Sequence, residues 1–394
     1  MSATGPLSGV RVVALEQAVA GPMATRHLAD LGADVIKIER PGEGDFARHY
    51  DGNVKGLSTN FVWLNRGKRS LTLNVKDPDA IAALQKLVGS ADVMIQNLGP
   101  GAADRLGLGP KELSKTYPKL IYCSISGYGE DGPYRDRKAY DLLIQGETAM
   151  IFTSGTAEQP AKIGVSVSDI SAGMYAFSAI LAALYERERT GRGRALYISL
   201  FDTSAEWMSV PLYHHMYTGR PLSRAGLHHN LIVPYGPYRC GGDEMINLAV
   251  QNERQWRNLC DAIDRPDIAV DPRFNSNKLR TENRLVLEPL LEEVLTQWDR
   301  AEVVRRLEAS DVPFGEVNDT IGLAEHPQLE ERGRWVDVDS EAGEIKLLKL
   351  PIVLDEELPA PSAIPAVGEH TSEVLAELGY SDDEIGAMRE RGAV

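Results

Sequence analysis

From Leu7 to about Ser126, short β-rich runs alternate with amphipathic stretches. GVRVVALE, ADVIKIE, SLTLNV, ADVMIQN and LIYCSISG read as strands, and helices are suggested around Pro22–Leu31, Asp79–Val88 and Lys111–Tyr117. That rhythm predicts an α/β fold, a parallel sheet with helices on its faces. Further on, Ile170, Met174, Phe177, Leu181 and Leu184 recur at helical spacing, predicting a long apolar helix over 170–186. The glycines of ERTGRGR stop it, ALYISLF supplies another strand, and TSAEWMSVPLYHHMYTG reads as helical.

Around residue 225 the texture changes. GPYRC and MINLAV flank Gly241-Gly242-Asp243, a hairpin signal, and three helical stretches follow: ERQWRNLCDAI, RLVLEPLLEEVLTQW and RAEVVRRLEA. WVDVDSEAGEIKLLKL is hairpin-like, PIVLDEELPAPSAIPAVG is Pro-rich and extended, and TSEVLAELG is the last helical stretch. The expected organisation is 1–200 as the first part of a large domain, 201–228 as a linker, 229–310 as a small α+β domain, 311–344 as a second linker and 345–394 as a C-terminal segment. Internal repeats and low-complexity tracts are absent from the sequence.

Composition narrows the function. The chain has 394 residues, 43% hydrophobic and 25% charged, which is ordinary for a soluble globular protein. Lys and Arg number 42 against 57 Asp and Glu, a net charge of −15, so nucleic acid and anionic membrane are not expected partners. An anionic ligand would need a local basic patch. Cys123, Cys240 and Cys260 are too few and scattered for a disulfide framework or a zinc site, and are expected as reduced, mostly buried thiols. MSATGPLSGVRVVALE has no basic segment leading into an apolar signal core, and no run approaches the length needed to span a bilayer, so the cytoplasm is the expected location.

Asp169 is the leading candidate for chemistry. It lies where the long helix begins, at or beside the N-cap, and Asp is a favoured capping residue. A carboxylate there can also be held ionised by the helix dipole and free N–H groups, and act as a nucleophile. The turn after the first strand is AVAGP and not GxGxxG, which removes an NAD-type dehydrogenase, although Gly21-Pro22 still leaves N–H groups at the strand's carboxyl end. Basic residues gather early, as Lys37, Arg40, Arg48, Arg66, Lys68, Arg69 and Lys76. They form either a solvated face or an anion patch, with Arg40 near where an adenosine ribose phosphate would lie in a doubly wound sheet. DGPYRDRKAYDLLIQG carries Arg137, Lys138, Tyr140 and Asp141 in a loop running into a helix. His214-His215 and His228-His229 lack metal-ligand spacing, and no metal is expected. Without GxSxG, HExxH, a P-loop or paired CxxC, the common hydrolase, zincin and NTPase readings fall away.

Taken in order, these pieces resemble the class III CoA-transferases, the family that includes formyl-CoA transferase, carnitine CoA-transferase and α-methylacyl-CoA racemase. The resemblance runs from LSGVRVVALEQAVAGPMATRHLADLGADVIKIERPGEGD through NRGKRSLTLNVK, ADVMIQNLGPGAADRLGL, SISGYGEDGPYRDRKAYDLLIQG, SDISAGMYAFSAILAALYERERTGRGR and VPFGEVNDTIGLAEHPQLEERGRW to GEHTSEVLAELGYSDDEI. It implies a Rossmann-like large domain built from both chain ends, a smaller α+β domain, and an interlocked homodimer. It also implies that Asp169 is the nucleophile, forming aspartyl anhydride and aspartyl-CoA thioester intermediates with a CoA thioester substrate and no permanently bound cofactor. CoA-binding positions of the family match Ala18, Arg40, Leu73, Lys76, Asn97, Leu98, Arg105 and Lys138; Val19, Tyr140, Asp141 and His229 match residues lining the active site.

Formyl-CoA transferase has a Gln where this chain has Val19, and a glycine-rich loop where this chain reads AGLHHNLIVPYGPY. HHNLIVPYG resembles relatives acting on small dicarboxylates such as succinate, citramalate, itaconate or mesaconate, with succinyl-CoA as a candidate donor. A racemase of the same fold would need a His where this chain has Tyr140, and an unperturbed Tyr, with a pKa of about 10, is a poor base at neutral pH. A non-catalytic CoA-binding protein is the other alternative.

Overall fold

All six runs form strands: β1 (Arg11–Leu15), β2 (Asp34–Glu39), β3 (Lys68–Thr72), β4 (Val93–Gln96), β5 (Ile121–Ser126) and β6 (Ala195–Ser199). They make one parallel sheet in the order β3-β2-β1-β4-β5-β6. The computed structural model describes residues 5–355 and 358–394, so the first residues of the N-terminal stretch and Glu356 and Glu357 of the Pro-rich stretch lie outside the described residues. Central β1 shows why the sheet is covered on both faces. Val12 and Ala14 point into one hydrophobic cluster with Leu28, Ala176 and Ile180, while Val13 and Leu15 point into another with Leu84, Leu87, Val374 and Leu375. Strand order reverses between β1 and β4, which opens a crevice at their carboxyl ends.

The helix carrying Asp169 spans Val167–Thr190 and ends at Gly191, whose φ of 67° gives a left-handed cap. It is longer than its apolar spacing predicted. By length and composition it could cross a membrane, which corrects the expectation that no run approaches that length. Here, however, Ala172, Ala176, Phe177, Ile180 and Leu184 are buried in the sheet's first cluster, against helix Ala20–Asp30. Gly173 permits this approach, since a Cβ there would meet the Ala20 carbonyl oxygen at 2.7 Å.

The chain divides into two compact units. One takes the chain as far as Thr148, then Ile163–Ser209 and Arg332–Val394; the other takes Ala149–Lys162 and Val210–Glu331. The second has its own antiparallel sheet, β7 (Tyr235–Arg239), β8 (Met245–Ala249) and β9 (Phe314–Glu316), backed by helices Glu253–Ala262, Arg284–Leu295 and Arg300–Ala309 over Tyr238, Leu248, Trp256 and Leu291. The stretch 201–228 holds helices Leu200–Trp207 and Ser209–Thr218, and 311–344 holds β9 and β10 (Trp335–Val338), which pairs with β11 (Ile345–Leu348). TSEVLAELG is not the last helix: Asp382–Glu390 follows, started by a capping box between Ser381 and Glu384. The three thiols are free and buried.

Most of the early basic residues turn out to be internal ion-pair partners. Lys68 Nζ lies 2.7 Å from Glu16 Oε1, and Lys37 Nζ lies 2.8 Å from Asp45 and 3.5 Å from Glu16, with all four side chains buried. Arg48 pairs with Glu39, Arg66 with Asp30, and Arg69 with Asp34 and Glu377. Burial pulls the Lys68 ammonium down to about 8 against the pull of Glu16; burial also opposes the charge on Lys37, but Asp45 and Glu16 outweigh it and hold that ammonium above its usual range.

Removing Glu16 would strand Lys68 in a dry site, so Glu16→Ala is expected to destabilise the fold by about 3–5 kcal/mol. The double variant Glu16→Ala/Lys68→Met, which leaves no orphaned ammonium at that position, should recover part of the loss. Urea unfolding of the two variants checks this, and equal stability of single variant and wild type would refute it.

Candidate active site

The turn after β1 is pinned at each residue. Gln17 N–H donates to Asn97 Oδ1 at 2.9 Å, and Asn97 Nδ2 donates back to the Gln17 carbonyl at 2.9 Å. Ala18 has a φ of 59°, rare for a residue with a Cβ, and its N–H sits between the two Asp45 oxygens, 3.2 Å from each. Val19 occupies the N-cap position of helix Ala20–Asp30, whose first-turn amides have no acceptor within the helix. Asp45 also caps the short turn Phe46–His49 through Ala47 N–H at 2.9 Å. One carboxylate thus fixes both the Ala18 turn and the segment bearing Phe46 and Tyr50.

The opposite wall is organised by Asp141, the first residue of helix Asp141–Glu147. Its Oδ1 accepts the Ser168 N–H at 2.8 Å and its Oδ2 accepts from Gln145 Nε2 at 2.8 Å. Buried Gln145 in turn accepts the Ile163 N–H at 2.9 Å. Asp141, a residue remote in sequence, therefore serves the start of the Asp169 helix. Asp169 is the third residue of that helix and makes no capping hydrogen bond, which corrects the expectation of a cap. Nor is it held strongly ionised. Burial, reinforced by the Asp141 charge, pushes its carboxyl up to about 7.

A cavity of about 590 Å³ lies between these walls and is lined by Ala18, Val19, Asn97, Leu98, Lys138, Tyr140, Asp141 and Asp169, among others. A second, of about 310 Å³, is lined by Arg40, Leu73, Lys76, Leu98 and Arg105. Gln17 and Leu98 border both. The two cavities therefore collect every residue singled out in the sequence for binding or catalysis except His229. His229 belongs to the second unit, where its ring stacks on Tyr235 at 5.1 Å and its Nδ1 accepts the Leu231 N–H at 3.0 Å. Burial and Arg284 lower its pKa.

The charges are arranged unevenly. Arg40, Lys76 and Arg105 are exposed at the second cavity; Arg40 has only a loose pairing with Glu43 at 3.7 Å, and Lys76 and Arg105 have no ion-pair partner among the described residues. An extended ligand with phosphates at one end and a reactive carbonyl at the other would thus meet cations first and Asp169 last. Among the described residues, no group of three His, Cys, Asp or Glu is placed to hold a metal ion. Sequence reasoning missed Gln17, Asp45, Phe46, Tyr50, Asn60 and Gln145. Only Asp45 carried a signal, as an Asp at the end of a Gly-containing turn, a favoured capping position.

The chain matches the description CoA-transferase family III over residues 7–371. It belongs to that family. The succinate–glutarate CoA-transferase of Agrobacterium fabrum is 36% identical over 383 residues, covering 95% of this chain and 96% of the relative. A formyl-CoA:oxalate CoA-transferase of Escherichia coli is 32% identical and covers 99% of each chain. The crystal structure of a CAIB/BAIF family protein from Brucella suis matches with a TM-score of 0.83 at 35% identity, covering 95% of this chain and 99% of that one. This family III CoA-transferase therefore has acyl-CoA thioesters as its substrate class.

The Asp169 carboxyl gives this CoA-transferase a pH signature in stability. Its pKa in the fold lies above the unfolded value of about 3.9, so between that value and about 7 the folded chain binds more protons, and stability falls as pH rises through this window. Asp169→Asn removes the penalty. It is expected to raise the melting temperature at pH 8, with the gain shrinking toward zero near pH 4; thermal scans across that range check it.

Proposed function

We propose that the enzyme moves CoA from an acyl-CoA donor, with succinyl-CoA as the first candidate, to a small dicarboxylate acceptor through covalent intermediates on Asp169. The observation that carries this reading is Asp169 itself: a half-buried carboxyl on the wall of the cavity, without a hydrogen-bond partner among the described residues, adjoining a cavity bordered by free cations. The names of the succinate–glutarate and formyl-CoA:oxalate relatives support the acceptor class.

An ionised Asp169 oxygen attacks the thioester carbonyl, the C–S bond breaks, and a mixed anhydride and CoA thiolate result. The thiolate attacks the aspartyl carbonyl of the anhydride; its C–O bond breaks, the donor acid leaves as a carboxylate, and an aspartyl-CoA thioester remains. The acceptor carboxylate attacks that thioester, again releasing thiolate and forming a new anhydride. Thiolate attack on the acceptor's carbonyl then yields the new acyl-CoA and frees Asp169. Each step exchanges activated carbonyl derivatives, so the protein's work is to align them, stabilise the oxyanions and keep water out. The first-turn amides of helix Ala20–Asp30 are the oxyanion donors that the cavity wall offers.

A carboxyl of pKa about 7 would also suit a proton shuttle, the racemase alternative. Hydroxylamine separates the two. Incubation with an acyl-CoA and then hydroxylamine should inactivate the transferase, with a mass change on the Asp169 peptide, whereas a racemase would survive and exchange α-deuterium. Asp169→Ala should abolish transfer while the protein stays folded. In the wild type kcat/KM for the donor should rise with pH through about 7 and level off above it, because only the ionised carboxylate attacks.

The proposed assembly is an interlocked homodimer. Helix Ser209–Thr218 buries none of its residues, yet it exposes Val210, Leu212, Tyr213, Met216 and Tyr217, an apolar face of the kind a second copy covers. Such an interface should exceed the roughly 1,200–2,000 Å² of a standard one. Mass photometry at nanomolar concentration is expected to show dimers only; a reversible monomer would refute the interlock.

A further inference from the structure

Two cations line the cavity that holds Asp169, namely Arg137 and Lys138. The family resemblance gives Lys138 to CoA and leaves Arg137 without a role. The Arg137 side chain is held against an aromatic ring. Its guanidinium carbon lies 3.4 Å from the centre of the Tyr134 ring, and its backbone N–H donates to the Tyr134 carbonyl at 2.9 Å. Tyr134 meets Tyr128 edge-on at 5.5 Å, and Tyr128 lies 5.9 Å from Phe201. Tyr128 and Phe201 pack against the first core cluster, so an aromatic ladder runs from the core to the guanidinium.

The guanidinium has unused capacity. Its only ion-pair partner among the described residues is Glu147 at 3.8 Å, beyond hydrogen-bond distance, and both side chains are roughly half exposed. A planar fork with five N–H donors suits a carboxylate, and stacking on Tyr134 fixes its plane in advance. The cavity's other charged side chains besides Lys138 are the carboxylates Asp141 and Asp169, which would repel an anion. A dicarboxylate whose near end reacts at Asp169 has one group left to place, and Arg137 is the cation in that cavity with no other duty.

We propose that Arg137 pairs with the distal carboxylate of the acceptor, displacing Glu147, and so selects small dicarboxylates over monocarboxylates of similar length. The proposal rests on the CoA-transferase reading and adds a specificity-determining residue to it.

The test compares acceptors at saturating donor: succinate and glutarate against butyrate and valerate, in wild type, Arg137→Leu, Tyr134→Leu and Tyr134→Phe. In Arg137→Leu, kcat/KM for the dicarboxylates is expected to fall by about 10- to 100-fold, as for loss of a charge-assisted hydrogen-bonded pair, with no change for the monocarboxylates. Tyr134→Leu should give a smaller loss with the same selectivity, and Tyr134→Phe, which keeps the platform, none. Equal losses for both acceptor classes, or unchanged dicarboxylate transfer in Arg137→Leu, overturn the role of Arg137 while leaving the transferase reading intact. Failure of the wild type to transfer CoA to any of these acids would overturn the reading and the proposal together.

Discussion

The turn that borders the Asp169 cavity hangs on one buried carboxylate. Glu16, the residue after β1, accepts from Lys68 at 2.7 Å and from Thr25 at 2.7 Å, and lies 3.5 Å from Lys37. Those lysines come from β2 and β3, so the three strands are tied together at one level of the sheet. Lys37 then presents Asp45, and Asp45 holds Ala18 in its left-handed turn and starts the segment bearing Phe46 and Tyr50. An apolar trio of similar volume would hold such strands about as well, since buried ion networks roughly break even in stability. What an apolar trio would not supply is the Lys37 ammonium that holds Asp45 ionised and in place to accept the Ala18 N–H. The network's contribution is therefore the shape of the turn, built on strand ends where it cannot drift.

Asp169 shows how competing electrostatic effects are settled by size. Its place in the first turn of a 24-residue helix favours the ionised form. The dipole contributes typically about 0.3–1 kcal/mol, less than the roughly 1.4 kcal/mol of a single pKa unit. Burial and the Asp141 charge act in the other direction, and they win, leaving the carboxyl at about 7. Asp141 stands where it does because it accepts the Ser168 N–H that starts the helix. The same bond that orders the Asp169 helix thus makes its third residue more basic. A more basic carboxylate is a better nucleophile, and near neutrality a large share of it is still ionised, so Asp169 lies close to the compromise that the proposed attack on a thioester requires.

The strands were legible because period and composition agree along β1 to β6, and the Arg40, Lys76 and Arg105 positions followed once the sheet was read as doubly wound and the family motifs aligned. The long helix was legible in its apolar spacing but not in its first turn, where Val167 is followed by the polar Ser168 and Asp169. Helix Asp382–Glu390 carried a readable signal, the Ser381/Glu384 box, yet its apolar spacing is sparse, with Ile385 and Met388 its only buried residues. The long-range bonds of the polar scaffolding were not legible. Asp45 to Ala18, Asp141 to Ser168 and Gln145 to Ile163 join residues 18 to 27 positions apart through side-chain to backbone bonds, which leave no periodic trace in a sequence.

The basic residues show most clearly what composition conceals. Lys37, Lys68, Arg48, Arg66 and Arg69 read as either a solvated face or an anion patch, yet each is matched to a carboxylate in the fold. Among the cations left open are Arg40 past β2, Lys76 past β3 and Arg105 past β4, all bordering the smaller cavity. With a net charge of −15 the whole protein repels a polyanion, so its long-range field cannot gather a phosphate-bearing ligand. Selection must come from those few local contacts. Because they lie past the carboxyl ends of β2, β3 and β4, while the Ala18 turn follows β1, a ligand held by its phosphates runs along the strand ends toward the switch between β1 and β4. In the proposed reading, strand order, more than net charge, thereby decides which end of an acyl-CoA reaches Asp169.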